Sequence, residues 1–143
     1  MKTFTLEVAF DCDFDLFGLV SSSRDYSLAW TLNRALRLRL VRQPDLVVDL
    51  LTQGRLLFSH YLHATETLTF RLLRNRSLTS STLKKPFLVP DYKQYDYLLH
   101  ITNGQGPLAT DELLPLLAAL PAVQYAGGPV EVESLKYKEN LQF

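Results

Sequence analysis

Apolar and polar side chains alternate with period two along much of this chain, and twice the pattern gives way to three-and-four spacing. Phe4, Leu6, Val8 and Phe10 alternate with Thr3, Thr5, Glu7 and Ala9, as in a half-buried strand. Asp11-Cys12-Asp13-Phe14-Asp15 then reads as a solvated strand end, with Phe14 and Phe17 turned inward. Ser21-Ser22-Ser23 offers helix caps, and Ser22 stands at capping-box spacing from Asp25. Over residues 24–38, Leu28, Leu32, Ala35 and Leu36 form an apolar helical stripe, and Gln43-Pro44 closes that segment because proline disfavours helix in the residue before it. Tyr26 and Trp30 lie off the stripe, four residues apart and near Arg34 and Arg37. A tryptophan so placed commonly closes the edge of a core, and an aromatic pair flanked by arginine also suits a binding face.

Three strands are predicted next, over 45–50, 55–63 and 67–75. Leu46, Val48 and Leu50 share one face, then Leu56, Phe58, His60 and Leu62, then Leu68, Phe70 and Leu72. Their short connections predict an antiparallel meander. Residues 75–85 are Ser/Thr-rich and basic and read as the longest loop, after which Phe87-Leu88-Val89 returns to the fold. Val89-Pro90-Asp91-Tyr92-Lys93-Gln94-Tyr95-Asp96-Tyr97 places a proline-fixed lead-in before another strand. The alternation puts Tyr95, Tyr97, Leu99 and Ile101 on one face, with Asp96, Leu98, His100 and Thr102 on the other. Thr110 caps a second helix rich in leucine, with Asp111 and Glu112 at its positive end and Pro115 weakening its first turn. A short strand over 122–126 precedes Gly127-Gly128-Pro129 and a tail of mixed polarity. These elements predict one α+β domain over 1–143, a two-layer arrangement in which a mostly antiparallel sheet of about six strands packs with two helices. The sheet order does not follow from the pattern.

Composition narrows the function. Hydrophobic residues make up 47% and charged residues 21% of the 143, which fits an ordered globular chain. Lys plus Arg and Asp plus Glu are 15 each, a balance that points away from a dedicated nucleic-acid binder. No apolar run is long enough for a bilayer, and the first residues lack a signal-peptide core, so a cytoplasmic protein without a membrane partner is expected. Cys12 is the single cysteine, which excludes an internal disulfide and a cysteine-rich zinc site.

Chemistry finds little purchase. The Asp11, Asp13, Asp15 series invites a calcium reading, but Leu16 and Ser22 stand where an EF-hand loop requires Gly and Glu. Gly104-Gln105-Gly106 lacks the Gly-Lys-Ser/Thr of a phosphate loop. His60 and His63 fall on opposite faces of one predicted strand, and Asp96 is roughly 13 Å from His100 along another. No cofactor, metal or catalytic set is therefore expected.

The stretch from Val89 to Tyr97 resembles the defining motif of the IPExxxVDY family, small bacterial proteins of unassigned function. Pro90, Asp96 and Tyr97 match that motif in identity, Val89 and Asp91 stand for its Ile and Glu, and Tyr95 departs from its Val. Asp25-Tyr26-Ser27-Leu28-Ala29-Trp30, Phe10-Asp11-Cys12-Asp13-Phe14 and Glu139-Asn140-Leu141 are similar to other parts of the family. The resemblance implies no catalytic residues. The reading that results is a non-enzymatic interaction or adaptor domain with a protein partner, and Asp91, Tyr92, Asp96, Tyr26 and Trp30 as its candidate surface. A small-ligand-binding regulatory domain is the alternative, and it requires a pocket with convergent polar groups. A nucleic-acid accessory role would rest on Arg34, Arg37, Arg39 and Arg42 with Lys84 and Lys85.

Overall fold

The computed structural model describes residues 14–50, 54–66, 68–77, 87–89, 92–103 and 110–129. Within them lie strands β1 (Asp15–Val20), β2 (Val41–Leu50), β3 (Gly54–Ala64), β4 (Leu68–Arg74), β5 (Tyr97–Asn103) and β6 (Tyr125–Gly127), and helices α1 (Asp25–Leu36) and α2 (Thr110–Ala118). The strands form one sheet in the order β2–β3–β4–β5–β1–β6, and every described pairing is antiparallel. This is an α+β fold, and the meander from β2 to β4 is as the alternation predicts.

The strand expected over 4–10, the carboxylates Asp11 and Asp13, Cys12, residues 78–85 of the loop expected over 75–85, and the tail after Pro129 lie outside the described residues. β1 was not expected as a strand. It runs between β5 and β6, and Leu16, Phe17 and Leu19 are almost fully buried. A strand covered on both faces reads as a continuous apolar run, so Leu16 to Val20 carries no period-two signal.

α1 begins at Asp25 with Arg24 as its cap residue and no side-chain capping bond, so Ser22 does not cap it. Leu28, Ala29 and Leu32 face the sheet, Ala29 taking the inward place expected for the exposed Ala35. Burying Leu28 and Leu32 completely contributes about 2 kcal/mol each. The helix stops at Arg37, which adopts a left-handed conformation (φ 57°), well before Pro44. Asn33 then turns the chain into β2, its side-chain oxygen accepting the Leu40 N–H at 2.8 Å. Pro44 sits inside edge strand β2, where the register shifts between Gln43 and Leu46, a place where a residue without an N–H costs no ladder bond.

The two sheet faces bury different sets. Phe17, Leu19, Tyr61, Phe70, Leu72, Tyr97, Leu99 and Ile101 pack under α1 and under Leu113 and Leu117 of α2, which continues through Pro115. Leu16, Leu56, Phe58, Leu73 and Leu98 form the opposite face, joined by Leu88, Val89 and Tyr95. β6 is shifted from the expected 122–126 and includes Gly127, which pairs with Gly18 of β1.

Candidate functional site

The 92–97 segment is held by a residue whose importance the sequence conceals. Asn75 follows β4 directly and is fully buried. Its side-chain nitrogen donates to the Tyr92 and Tyr95 carbonyls at 3.0 and 3.1 Å, and its side-chain oxygen accepts the Val89 N–H at 2.8 Å. Its backbone donates to the Asp96 carbonyl and accepts from Leu88 N–H, at 2.9 and 2.7 Å. One asparagine thus satisfies backbone groups that have no strand neighbour, the condition for burying an irregular segment.

Within that frame Tyr95 turns away from Tyr97, contrary to the shared face expected from alternation. β5 begins only at Tyr97, and the bend before it sends the Tyr95 ring to the face opposite the helices. The ring lies against Gly18, where a Cβ would fall inside it, and its hydroxyl approaches Gly127. It also stacks with Tyr125, centroids 6.4 Å apart, and meets Tyr92 at 6.0 Å. Burial, then Tyr125 and Tyr92, raises the Tyr95 pKa.

Asp96 and Tyr97 reach the chain that leads into α1. Asp96 Oδ2 accepts the Ser21 N–H at 2.9 Å, while Tyr97 donates its hydroxyl to the Ser23 carbonyl at 2.6 Å. Burial pushes the Tyr97 phenol up to about 12, so it remains a donor through neutral pH. Ser21 Oγ donates to the Ala122 carbonyl at 2.5 Å and accepts the Ser23 N–H at 3.1 Å. Between these serines and the neighbouring strand ends opens a pocket of about 220 Å³, lined by Ser21, Ser22, Ser23, Arg74, Arg76, Asp96 and Tyr97.

The candidate surface residues are therefore separated. Tyr92 is half-buried and packs with Tyr95 on the face opposite the helices. Asp96 lines the polar pocket, and Asp91 lies outside the described residues. Tyr26 and Trp30 belong to the solvent side of α1, each 59% exposed, and the Arg34 guanidinium lies 4.8 Å from the Trp30 ring centroid. Trp30 does not close the edge of the core. Arg42, one of the basic residues singled out in the sequence, is engaged by Asp25 and Asp45.

His60 and His63 do occupy opposite faces. His63 Nδ1 accepts the Arg39 N–H at 2.9 Å, whereas His60 Nε2 lies 3.1 Å from Arg71 Nη1. Burial, helped by the Arg71 charge, lowers the His60 pKa to about 4 and keeps the ring neutral. His100 stacks on Phe14 with centroids 4.0 Å apart, away from the Asp96 contact with Ser21. Among the described residues no three His, Cys, Asp or Glu side chains gather in a metal-binding group, and no helix is long and apolar enough to cross a membrane.

No family model, curated protein or solved structure matches this chain. Asn75 and the arginine-lined pocket escaped the sequence reading. An asparagine opening a Ser/Thr-rich stretch has the composition of a turn, and Arg74 and Arg76 are far in sequence from the serines they meet.

Proposed function

We propose that this chain is a non-enzymatic protein-interaction domain of a cytoplasmic bacterial protein related to the IPExxxVDY family, and that it docks an acidic partner segment on the outer face of α1. The observation that carries this reading is the exposed Tyr26–Trp30 pair with Arg34 stacked on the indole. Tryptophan, tyrosine and arginine dominate binding hot spots because they combine large apolar area with directed polar contacts.

Charge selects the partner. Arg24, Arg34, Arg37 and Arg39 are exposed along this part of the chain, while Asp25, the acidic residue among them, is held by Arg42. The whole chain is neutral, so the basic excess is regional and favours a partner with carboxylates around an apolar centre.

The test is affinity capture with the full chain against Tyr26→Ala/Trp30→Ala and Arg34→Glu, followed by titration of the purified recovered protein. An acidic protein that binds directly, more weakly as salt rises, and at least tenfold more weakly to both variants supports the reading. Identical capture by all three forms, or recovery of nucleic acid alone, overturns it.

A further inference from the structure

The polar pocket beside the start of α1 is a second surface, distinct from the Tyr26–Trp30 face. Its two cations come from adjoining positions: Arg74 ends β4, and Arg76 follows Asn75. Among the described residues neither guanidinium has a carboxylate within ion-pairing distance, whereas Arg42 takes both Asp25 and Asp45. Arg76 is steadied by Phe87, its guanidinium 5.3 Å from that ring centroid. Two arginines lining one small space suit the oxygens of a phosphate or carboxylate, which a guanidinium fork can engage in pairs.

The remaining wall adds selectivity. The Tyr97 hydroxyl and Ser21 Oγ already donate to backbone carbonyls, so they shape the pocket without offering a donor. Asp96 uses Oδ2 on the Ser21 N–H and has Oδ1 left to accept from a ligand. Ser22 and Ser23 complete the lining. Arg74 and Arg76 against Asp96 leave one net positive charge, and the volume of about 220 Å³ is below that of pockets for drug-sized ligands.

We propose that this pocket binds a small oxyanion, phosphate or carboxylate, that carries a hydrogen-bond donor beside its charge. The anion lies between Arg74 and Arg76, and the donor meets Asp96. Because Ser21, Asp96, Tyr97 and the Phe87 stack are fixed by contacts within the chain, the site is formed before a ligand arrives, which lowers the cost of binding.

Isothermal titration calorimetry of the full chain at constant ionic strength tests this with inorganic phosphate, malonate and O-phospho-L-serine. Saturable binding of O-phospho-L-serine at least tenfold tighter than inorganic phosphate is expected. Arg76→Gln, an exposed position, and Arg74→Gln should each weaken it tenfold or more. Asp96→Asn should remove the preference over phosphate, and Lys93→Gln, exposed and outside the pocket lining, should change nothing. Binding of malonate extends the site to carboxylates, while its failure beside the phosphate compounds restricts the site to phosphate, and either result upholds the proposal. No saturable heat with any probe, or equal affinity in Arg76→Gln and Lys93→Gln, overturns it.

Discussion

Replacing Asn75 with alanine tests the central structural inference. The substitution removes the donor to the Tyr92 and Tyr95 carbonyls and the acceptor for the Val89 N–H, all at 3.1 Å or less. A buried polar group left without its partner costs about 1–3 kcal/mol, and the more distant Val89 carbonyl adds little. The Tyr92 carbonyl keeps the Tyr95 N–H at 3.0 Å, so the groups that lose their partner are the Tyr95 carbonyl and the Val89 N–H. Together they give a loss of about 3 kcal/mol after partial relaxation, a large share of the roughly 5–15 kcal/mol that stabilises a typical domain. Urea unfolding followed by far-ultraviolet circular dichroism measures the loss, and amide exchange at Val89 locates it. Asn75→Asp sharpens the test. Its carboxylate keeps an acceptor for Val89 but faces two carbonyl oxygens, so burial raises its pKa above the unfolded value. A folded state that binds the extra proton is favoured as pH falls, so this variant should recover towards wild type between pH 8 and 5, compared at equal pH. A loss below about 1 kcal/mol for Asn75→Ala at unchanged m-value would show that the Tyr95 carbonyl and the Val89 N–H find other partners and would refute the hub.

Two further perturbations address neighbouring parts of the fold. Gly18→Ala places a methyl inside the Tyr95 ring and should cost about 2 kcal/mol by overpacking. Tyr95→Val, the residue of the family motif, should absorb most of that penalty, and a double-mutant cycle in urea that is additive within about 0.5 kcal/mol would contradict the contact. His60 has a folded pKa of about 4 against an ordinary 6.5, so the unfolded chain binds more protons between those values. Its contribution is complete above pH 6.5 and is lost as pH falls towards 4, up to about 3 kcal/mol. Urea midpoints across that range should fall more steeply for wild type than for His60→Gln, and parallel slopes would reject the assignment.

How much of this was legible depends on what buries each segment. β3 and β4 keep polar residues among their apolar ones, Ser59 and His63 in the first and Thr69 and Arg71 in the second, and so announce themselves by alternation, while the three-and-four spacing of Leu28 and Leu32 marks α1. β1 is concealed because both of its faces are covered, which erases the polar half of the pattern. The start of β2 is concealed because Pro44 has the sequence value of a stop, although an edge bulge accommodates it. Tyr95 shows a different limit: period two holds only while the backbone is extended, and a bend one residue before Tyr97 reverses the face. Tyr26 and Trp30 stand off the stripe in the sequence, but a tryptophan there more commonly closes the edge of a core, so the exposure of Trp30 runs against that reading. The pocket was not readable, since Arg74 and Ser21 meet only through the pairing of β4 with β5 and β5 with β1.

The placement of Asp96 and Tyr97 bears on what the family-like motif does. Both bind backbone groups of the serines that lead into α1, so their first effect is to fix where that helix begins. Asn75 fixes the same segment from the other side through the Asp96 carbonyl. Replacing Asp96 therefore disturbs an anchor as well as the pocket, and a lost activity in such a variant would not separate the two roles. Arg76 and Trp30 do separate them, since both are exposed and neither bonds to the anchoring backbone. Function that follows Trp30 belongs to the outer face of α1, and function that follows Arg76 belongs to the pocket. A motif that mainly positions backbone can support either one, which is why its resemblance carries a fold further than an activity.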